Sequence, residues 1–209
     1  MSATQVIKQI IFDMDGTLAD TAKVTIPACA EVSARLNLPP LSDESIRAAI
    51  GFANPDFYFK LYPNLTPETV LAFGEAVEEA EERIVWTMGE GILFPGILAL
   101  LQALRARGIR MHVASTGDQG HVDAVLQTAG IEDFFTTISC GAPEKVDMVA
   151  GIISPGDPAH FAMVGDKEHD LRAARGNGIM AVAALFGYCT DAAGFDHALK
   201  TPAELLALV

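Results

Sequence analysis

The chain has 209 residues, half of them hydrophobic, which is enough apolar surface for one substantial core and a smaller one beside it. Its formal net charge of −13 and pI of about 4.6 set up a field that repels phosphate backbones and anionic lipid, which argues against nucleic acid and membranes as partners. No stretch approaches the ~20 apolar residues of a membrane span, and Met1 to Gln9 has no apolar run behind a basic start, so a cytoplasmic protein is expected.

Five short, apolar, β-branched-rich runs read as buried strands: Val6 to Phe12, Ile109 to Ala114, Phe135 to Cys140, Phe161 to Val164 and Ile179 to Leu185. Between the first and the second lie the 71 residues from Asp20 to Glu90, with no convincing strand and far too long for a loop inside a compact domain. Ala22 to Leu36 and Ser42 to Ile50 read as helices. Thr66-Pro67 pairs an N-cap with a first-turn proline, and Val70, Phe73, Val77 and Ile84 then recur on one side of a third helix. The acidic run Glu75 to Glu82 reads as the solvated face of that helix. After it, Pro95 to Arg107 and His121 to Ala129 carry helical apolar spacing and are closed by Gly108 and Gly130. Strand and helix alternation of this kind predicts right-handed βαβ units and a mostly parallel sheet. The expected organisation is an α/β core of residues 1–19 and 91–209 with an all-helical domain of residues 20–90 inserted into it, joined by two linkers near Ala19 and Gly91. Cys29, Cys140 and Cys189 are far apart and read as small buried hydrophobes.

The first strand ends in Asp13-Met14-Asp15-Gly16-Thr17. On extended backbone, residues two apart point the same way, so Asp13 and Asp15 both face the space beyond the carboxyl end of the strand, where open parallel sheets bind ligands. Two carboxylates that close repel, and a hard, oxygen-seeking cation such as Mg²⁺ resolves the conflict. An Asx-turn bent by Gly16 would explain an isolated motif of this kind. The same chemistry recurs, however, at other strand ends. The fourth run closes on Gly165-Asp166 with Asp170 four residues on. The second closes on Ser115-Thr116-Gly117, whose hydroxyls suit a phosphate oxygen at a helix start. Lys145 follows the third run and adds an ammonium.

Asp13-Met14-Asp15-Gly16-Thr17-Leu18-Ala19-Asp20 resembles the first signature of the haloacid dehalogenase-like hydrolases, and Val164-Gly165-Asp166-Lys167-Glu168-His169-Asp170 resembles the fourth. Phe94-Pro95-Gly96, the spacing from Gly108 to Ser115, Arg172-Ala173-Ala174 and Gly178-Ile179 resemble the phosphoglycolate phosphatase-like branch. The resemblance implies a Rossmann-like parallel sheet with a helical cap inserted after the first signature, and a phosphatase acting through an aspartyl-phosphate. It makes Asp13 the nucleophile and a Mg²⁺ ligand, and makes Asp15 the general acid and base, with its backbone carbonyl on the metal. Asp166 and Asp170 complete the metal shell. Ser115 holds a phosphoryl oxygen, Lys145 neutralises charge, and Gly16, Thr17 and Thr116 contribute to the substrate site. Phe52, in the stretch Phe52 to Pro55 where the family places its specificity loop, is the candidate contact to the rest of the substrate.

The expected partner is a small phosphorylated metabolite of phosphoglycolate type, and the protein is expected as a monomer or homodimer. Other readings are a sugar-phosphate mutase, a phosphonate hydrolase using Lys23 or Lys60, and a non-catalytic binding protein on the same fold. The early cap histidine and cap-loop arginine of similar mutases have no counterpart in Lys23 to Ile26 or Gly51 to Pro55. His112, His121, His160 and His197 show no ligand spacing, and His169 suits a helix start better than a metal that prefers oxygen. Trp86 and the cluster Phe57, Tyr58 and Phe59 read as packing. Residues 20–90 hold twelve acidic and five basic side chains, a balance of −7, so the inserted domain is expected to disfavour substrates with much negative charge beyond the phosphoryl group.

Overall fold

The structure, a computed structural model, describes residues 6–154 and 156–209; Met1 to Gln5 of the expected leaderless start lie outside them. Six parallel strands form one sheet in the order β3-β2-β1-β4-β5-β6. They are β1 (Gln9–Phe12), β2 (Arg110–Ser115), β3 (Phe135–Cys140), β4 (Phe161–Gly165), β5 (Met180–Ala184) and β6 (His197–Leu199). The first strand is shorter than its apolar run, because Val6 is 58% exposed and sheet pairing starts only at Gln9. β6 was not expected. It has three residues, two of them exposed, and so lacks the buried apolar run by which a strand is read.

Alternation along the strands sends side chains to two cores. Ile10, Phe12, Met111, Val113, Val164 and Val182 face one, which is covered by α5 (Ile97–Ala106) and α6 (Gln119–Thr128). Ile11, Ala114, Phe161, Met163 and Ala181 face the other, covered by α7 (Lys145–Ile153) and α8 (Glu168–Gly176). Helices on both faces explain why the central strands read as continuous apolar runs.

Between β1 and α5 lie α1 (Ala22–Arg35), α2 (Asp43–Ala49), α3 (Asp56–Leu61) and α4 (Pro67–Val85). They pack around their own cluster, including Cys29, Val32, Ile46, Phe57, Tyr62, Val70, Phe73 and Val77. α3 was not read as a helix, because six residues with consecutive aromatics give no 3.6-residue period. The chain leaves and re-enters the sheet by two connections that run side by side. Ala19 pairs antiparallel with Leu93, the Asp20 amide donates to the Ile92 carbonyl at 2.8 Å, and the Phe94 amide donates to the Leu18 carbonyl at 3.1 Å. Tyr188 clamps the junction, its hydroxyl donating to Asp20 Oδ1 at 2.6 Å and accepting from the Ala22 amide at 2.8 Å. Cys29 and Cys189 are buried as expected. Cys140 is half-buried and donates to Gln119 Oε1 at 3.2 Å, so it is a polar contact at the end of an outer strand. No helix of the described residues is long and apolar enough to cross a membrane.

Candidate active site

Parallel pairing sets β1, β2 and β4 side by side with their carboxyl ends on one edge, and that edge collects the chemistry. Asp13 follows β1 and is fixed by its amide, which donates to the Val164 carbonyl at 2.9 Å. Asp166 follows β4, and Asp170 lies one helical turn further on in α8. Ligand atoms of Asp13, Asp166 and Asp170, all buried, lie within 4.8 Å of one another. Lys145, in the first turn of α7 and itself buried, donates to Asp13 Oδ1 and, at 2.7 Å, to Asp170 Oδ1.

Asp170 has a second duty that the sequence did not disclose. Its Oδ2 accepts the amides of Asp166 and Lys167, both at 3.0 Å, which caps the start of α8 and fixes the loop that carries Asp166. With Lys145 on one oxygen and two amides on the other, Asp170 is largely saturated. Asp166 is not. Its Oδ2 is buried with no hydrogen-bond partner, and the nearest cation is the Lys167 ammonium at 4.0 Å. Burial and the Asp170 charge push Asp13 up to about 6 despite Lys145, and burial with the charges of Asp13 and Asp170 lifts Asp166 well above the usual carboxylate range. Burial opposes the Lys145 ammonium, but Asp13 and Asp170 outweigh it and hold the lysine above its ordinary value. Three buried carboxylates against one ammonium leave an excess of two negative charges and an orphaned oxygen, the donor set that a divalent, oxygen-seeking cation fits.

Gly16 keeps the front of this cluster open. Its φ is +85°, and a Cβ there would come within 2.7 Å of Asp166 Oδ2 and 2.6 Å of the Tyr188 ring. The Thr17 hydroxyl reaches towards Asp166 Oδ1 at 3.4 Å and Asp13 Oδ2 at 3.5 Å, so it steadies the carboxylates. Ser115 is fully buried at the end of β2, and its Oγ accepts the Gly117 amide at 3.1 Å, within the turn that leads into α6. Thr116 turns the other way. Its hydroxyl donates to the Gly51 carbonyl at 3.1 Å, tying the α2–α3 loop to the sheet edge. In that loop Phe52 packs edge-on against His169, centroids 5.6 Å apart, with the Lys60 ammonium 3.9 Å from its ring centre.

Asp15 is not in the acidic cluster. Its carboxylate turns to His121 on α6, with Oδ1 and Nε2 2.9 Å apart. Burial works against both charges, yet each partner prevails. Asp15 is held below the usual carboxylate range, and the His121 imidazole is raised to about 9. The plain reading of His121 is thereby corrected. The two residues are 106 apart in sequence, and only the pairing of β1 with β2, followed by an α6 capped by the Asp118 side chain on the His121 amide at 2.9 Å, brings them together.

Beyond Asp15 opens a cavity of about 700 Å³ between α4 and the α2–α3 loop on one side and α6 on the other. Thr21, Phe52, Tyr58, Trp86, Thr116 and His121 contribute to its wall, and so do Glu75, Glu78, Glu79, Glu81 and Glu82. The acidic run is the solvated face its spacing predicts, with Glu75, Glu78, Glu79 and Glu82 exposed and Glu81 half-buried, and that face also borders the opening of the active site. Trp86 and Tyr58 line the cavity rather than only packing, whereas neither Lys23 nor Lys60 is part of its wall.

The model of the haloacid dehalogenase-like hydrolase family matches residues 10–184. A probable phosphatase, IndB of Dickeya dadantii, is 29% identical over 194 residues, which cover 87% of this chain and 82% of that protein. The phosphoglycolate phosphatase of Synechococcus elongatus is 25% identical over 211 residues, 97% of each chain. Among solved structures, that of a predicted phosphoglycolate phosphatase from Haemophilus somnus 129PT superposes with a TM-score of 0.86 over 99% of both chains at 23% identity, a likeness of fold.

Proposed function

Because the chain belongs to the haloacid dehalogenase-like hydrolases, we propose that it is a Mg²⁺-dependent phosphatase of small phosphomonoesters, a phosphoglycolate-sized metabolite among them, working through a phosphoryl group on Asp13. The observation that carries this reading is the buried Asp13–Asp166–Asp170 cluster with Lys145 inside it and an unpaired Asp166 oxygen. Asp166 Oδ2, which has no partner, and Asp13 Oδ2, which only the Thr17 hydroxyl approaches, are the side-chain oxygens that would hold the ion. The Asp15 carbonyl would be a further ligand, and Asp170 would act on the metal site chiefly by orienting Asp166 and Lys145. The ion, when bound, supplies charge neutralisation for a phosphoryl oxygen and for the nucleophile.

Asp13 attacks phosphorus and the ester oxygen departs, leaving an acyl phosphate on Asp13. Lys145 neutralises charge on the nucleophile and the transferring group, and Ser115 with the amides at the start of α6 receives phosphoryl oxygens. The Asp15–His121 pair holds one proton between Oδ1 and Nε2, and that proton is the one the departing alkoxide needs. Once the alcohol has left, the same pair, now a proton short, takes one from the water that attacks the acyl phosphate. Residues 20–90 act as a cap whose α2–α3 loop, anchored through Thr116 and Gly51, limits access of bulk water to the site. The test is hydrolysis of p-nitrophenyl phosphate after chelation and after restoring Mg²⁺. Loss of turnover with chelator and recovery with Mg²⁺ are expected. Full turnover in chelator would contradict the proposal.

A further inference from the structure

The cavity beyond Asp15 is walled by carboxylates that phosphoryl transfer does not use. Glu78 is built into place. Its Oε1 accepts the Asn54 amide group at 2.9 Å and the Tyr58 hydroxyl at 3.2 Å, and both donors belong to the cavity wall. Glu81 lies one turn of α4 nearer the reacting groups, half-buried. Burial first, and then the charges of Asp15 and Glu78, push its carboxyl up against the opposing pull of His121. Among the described residues none of Glu75, Glu78, Glu79, Glu81 and Glu82 has an ion-pair partner within 4.0 Å. His121 is the sole basic side chain in the wall, and it is engaged with Asp15.

Two observations apart from the acidic residues point to a ligand in this space. Thr21, 1% exposed, belongs to the wall, and its hydroxyl, buried beside Asp15 and Tyr188, makes no close hydrogen bond. Trp86, the chain's single tryptophan, is 53% exposed and lines the cavity, so its ring is available to a ligand rather than used up in packing. Carboxylates beside an available indole are the chemistry that recognises an alkylammonium group. A wall of this charge would repel an ester such as phosphoglycolate, whose leaving group adds a carboxylate to the dianionic phosphoryl group.

Resting on the phosphatase reading of the same site, we infer that the preferred substrate is the phosphomonoester of an amino alcohol, its phosphoryl group at Asp13 and its ammonium between Glu78 and Glu81 and against Trp86. The two ends of such a zwitterion match the two ends of the site. The phosphoryl meets Lys145 and the metal position, and the cation meets the glutamates of α4.

The test compares ethanolamine phosphate with n-propyl phosphate, which has the same chain length and the same phosphoryl group but no charge on its alkyl end, and uses p-nitrophenyl phosphate as the reference ester. With Mg²⁺, kcat/KM for the ammonium ester should exceed that for the propyl ester by about tenfold, the effect of one partly desolvated ion pair. In Glu81→Gln and in Glu78→Gln the ratio should fall towards one, and 3-phosphopropionate should become a better substrate relative to the propyl ester. Equal or better turnover of the propyl ester by the unaltered protein would overturn the inference while leaving the phosphatase reading intact. So would a preference that survives in both glutamine variants. Failure to hydrolyse p-nitrophenyl phosphate would strike the phosphatase reading instead. Calorimetric binding of the two alkyl esters to Asp13→Asn then decides the inference without turnover: tighter binding of the ammonium ester supports it, and equal or weaker binding overturns it.

Discussion

The molecule carries two acidic clusters, one at the sheet edge and one on α4, and they are held in opposite ways. Asp13, Asp166 and Asp170 are fully buried and built around an internal ammonium, with backbone amides locking Asp170. The glutamates of α4 are half-buried or exposed, have no ion-pair partner among the described residues, and border an open cavity. Burial without compensation is costly for a carboxylate, and the first cluster is tied to the fold through Lys145 and the two amides on Asp170. The second is tolerated because water still reaches it, and its uncompensated charge remains available to a ligand. The same functional group, a carboxylate, thus stands as a fixed internal cluster in one place and as an uncompensated surface in the other.

The comparison is sharpened by perturbing each cluster. The largest effect is expected from Asp13→Asn, which removes the attacking oxygen and should lower kcat by about 10⁴-fold or more; near-normal single-turnover rates would break the assignment. Lys145→Met removes the internal cation from beside Asp13 and Asp170. It should cost about 3–5 kcal/mol in urea unfolding, since it strands buried charges, and added Mg²⁺ should narrow the loss. An unchanged unfolding midpoint would mean that the lysine does not organise the cluster. Asp15→Asn should slow alkyl esters by about 10²-fold or more and p-nitrophenyl phosphate far less, because only a poor leaving group needs the proton. Equal slowing of both would exclude the acid role.

Glu81→Gln probes the other cluster and has the smallest effect, with opposite sign. The Glu81 carboxyl stands above its ordinary value chiefly through burial, so the folded chain keeps its proton longer than the unfolded chain does. The resulting destabilisation is absent below the unfolded pKa and grows as pH rises towards the folded one. Glu81→Gln should therefore raise Tm at pH 7 and leave it nearly unchanged at pH 4. A lower Tm at pH 7 would show that the carboxylate is a structural partner.

Much of this was legible in the sequence. The parallel sheet, its five longer strands and the helical insertion follow from apolar runs bounded by glycines and carboxylates. Asp13, Asp166 and Ser115 were legible as neighbours because each stands at or just past the end of such a run, with Lys145 and Asp170 in the first turns of the helices that follow, where a parallel sheet gathers ligand-binding groups. What escaped depends on long-range packing. His121 is an ordinary residue in the first turn of a helix until β2 sets that helix beside β1, and the side chain that pairs with Asp15 was therefore not legible. The glutamates of α4 form the solvated face their spacing predicts, and only the way α4 rests over α6 shows that this face also borders the cavity. Thr116 was read as a phosphate contact from its neighbour Ser115, but successive residues at a strand end point apart, and its hydroxyl goes to Gly51.

The central claim is that the buried cluster accepts a phosphoryl group on Asp13, and the most direct measurement is to trap it. Asp15→Asn should form the acyl phosphate from p-nitrophenyl phosphate, whose leaving group needs no proton, yet hydrolyse it slowly for want of a base. Acid quenching during turnover with Mg²⁺, followed by mass spectrometry of peptides, is predicted to find one added phosphoryl group on the peptide that contains Asp13 and none in the Asp13→Asn/Asp15→Asn double variant. Continued hydrolysis by that double variant at the rate of Asp15→Asn, with no phosphorylated peptide in either protein, would contradict the account.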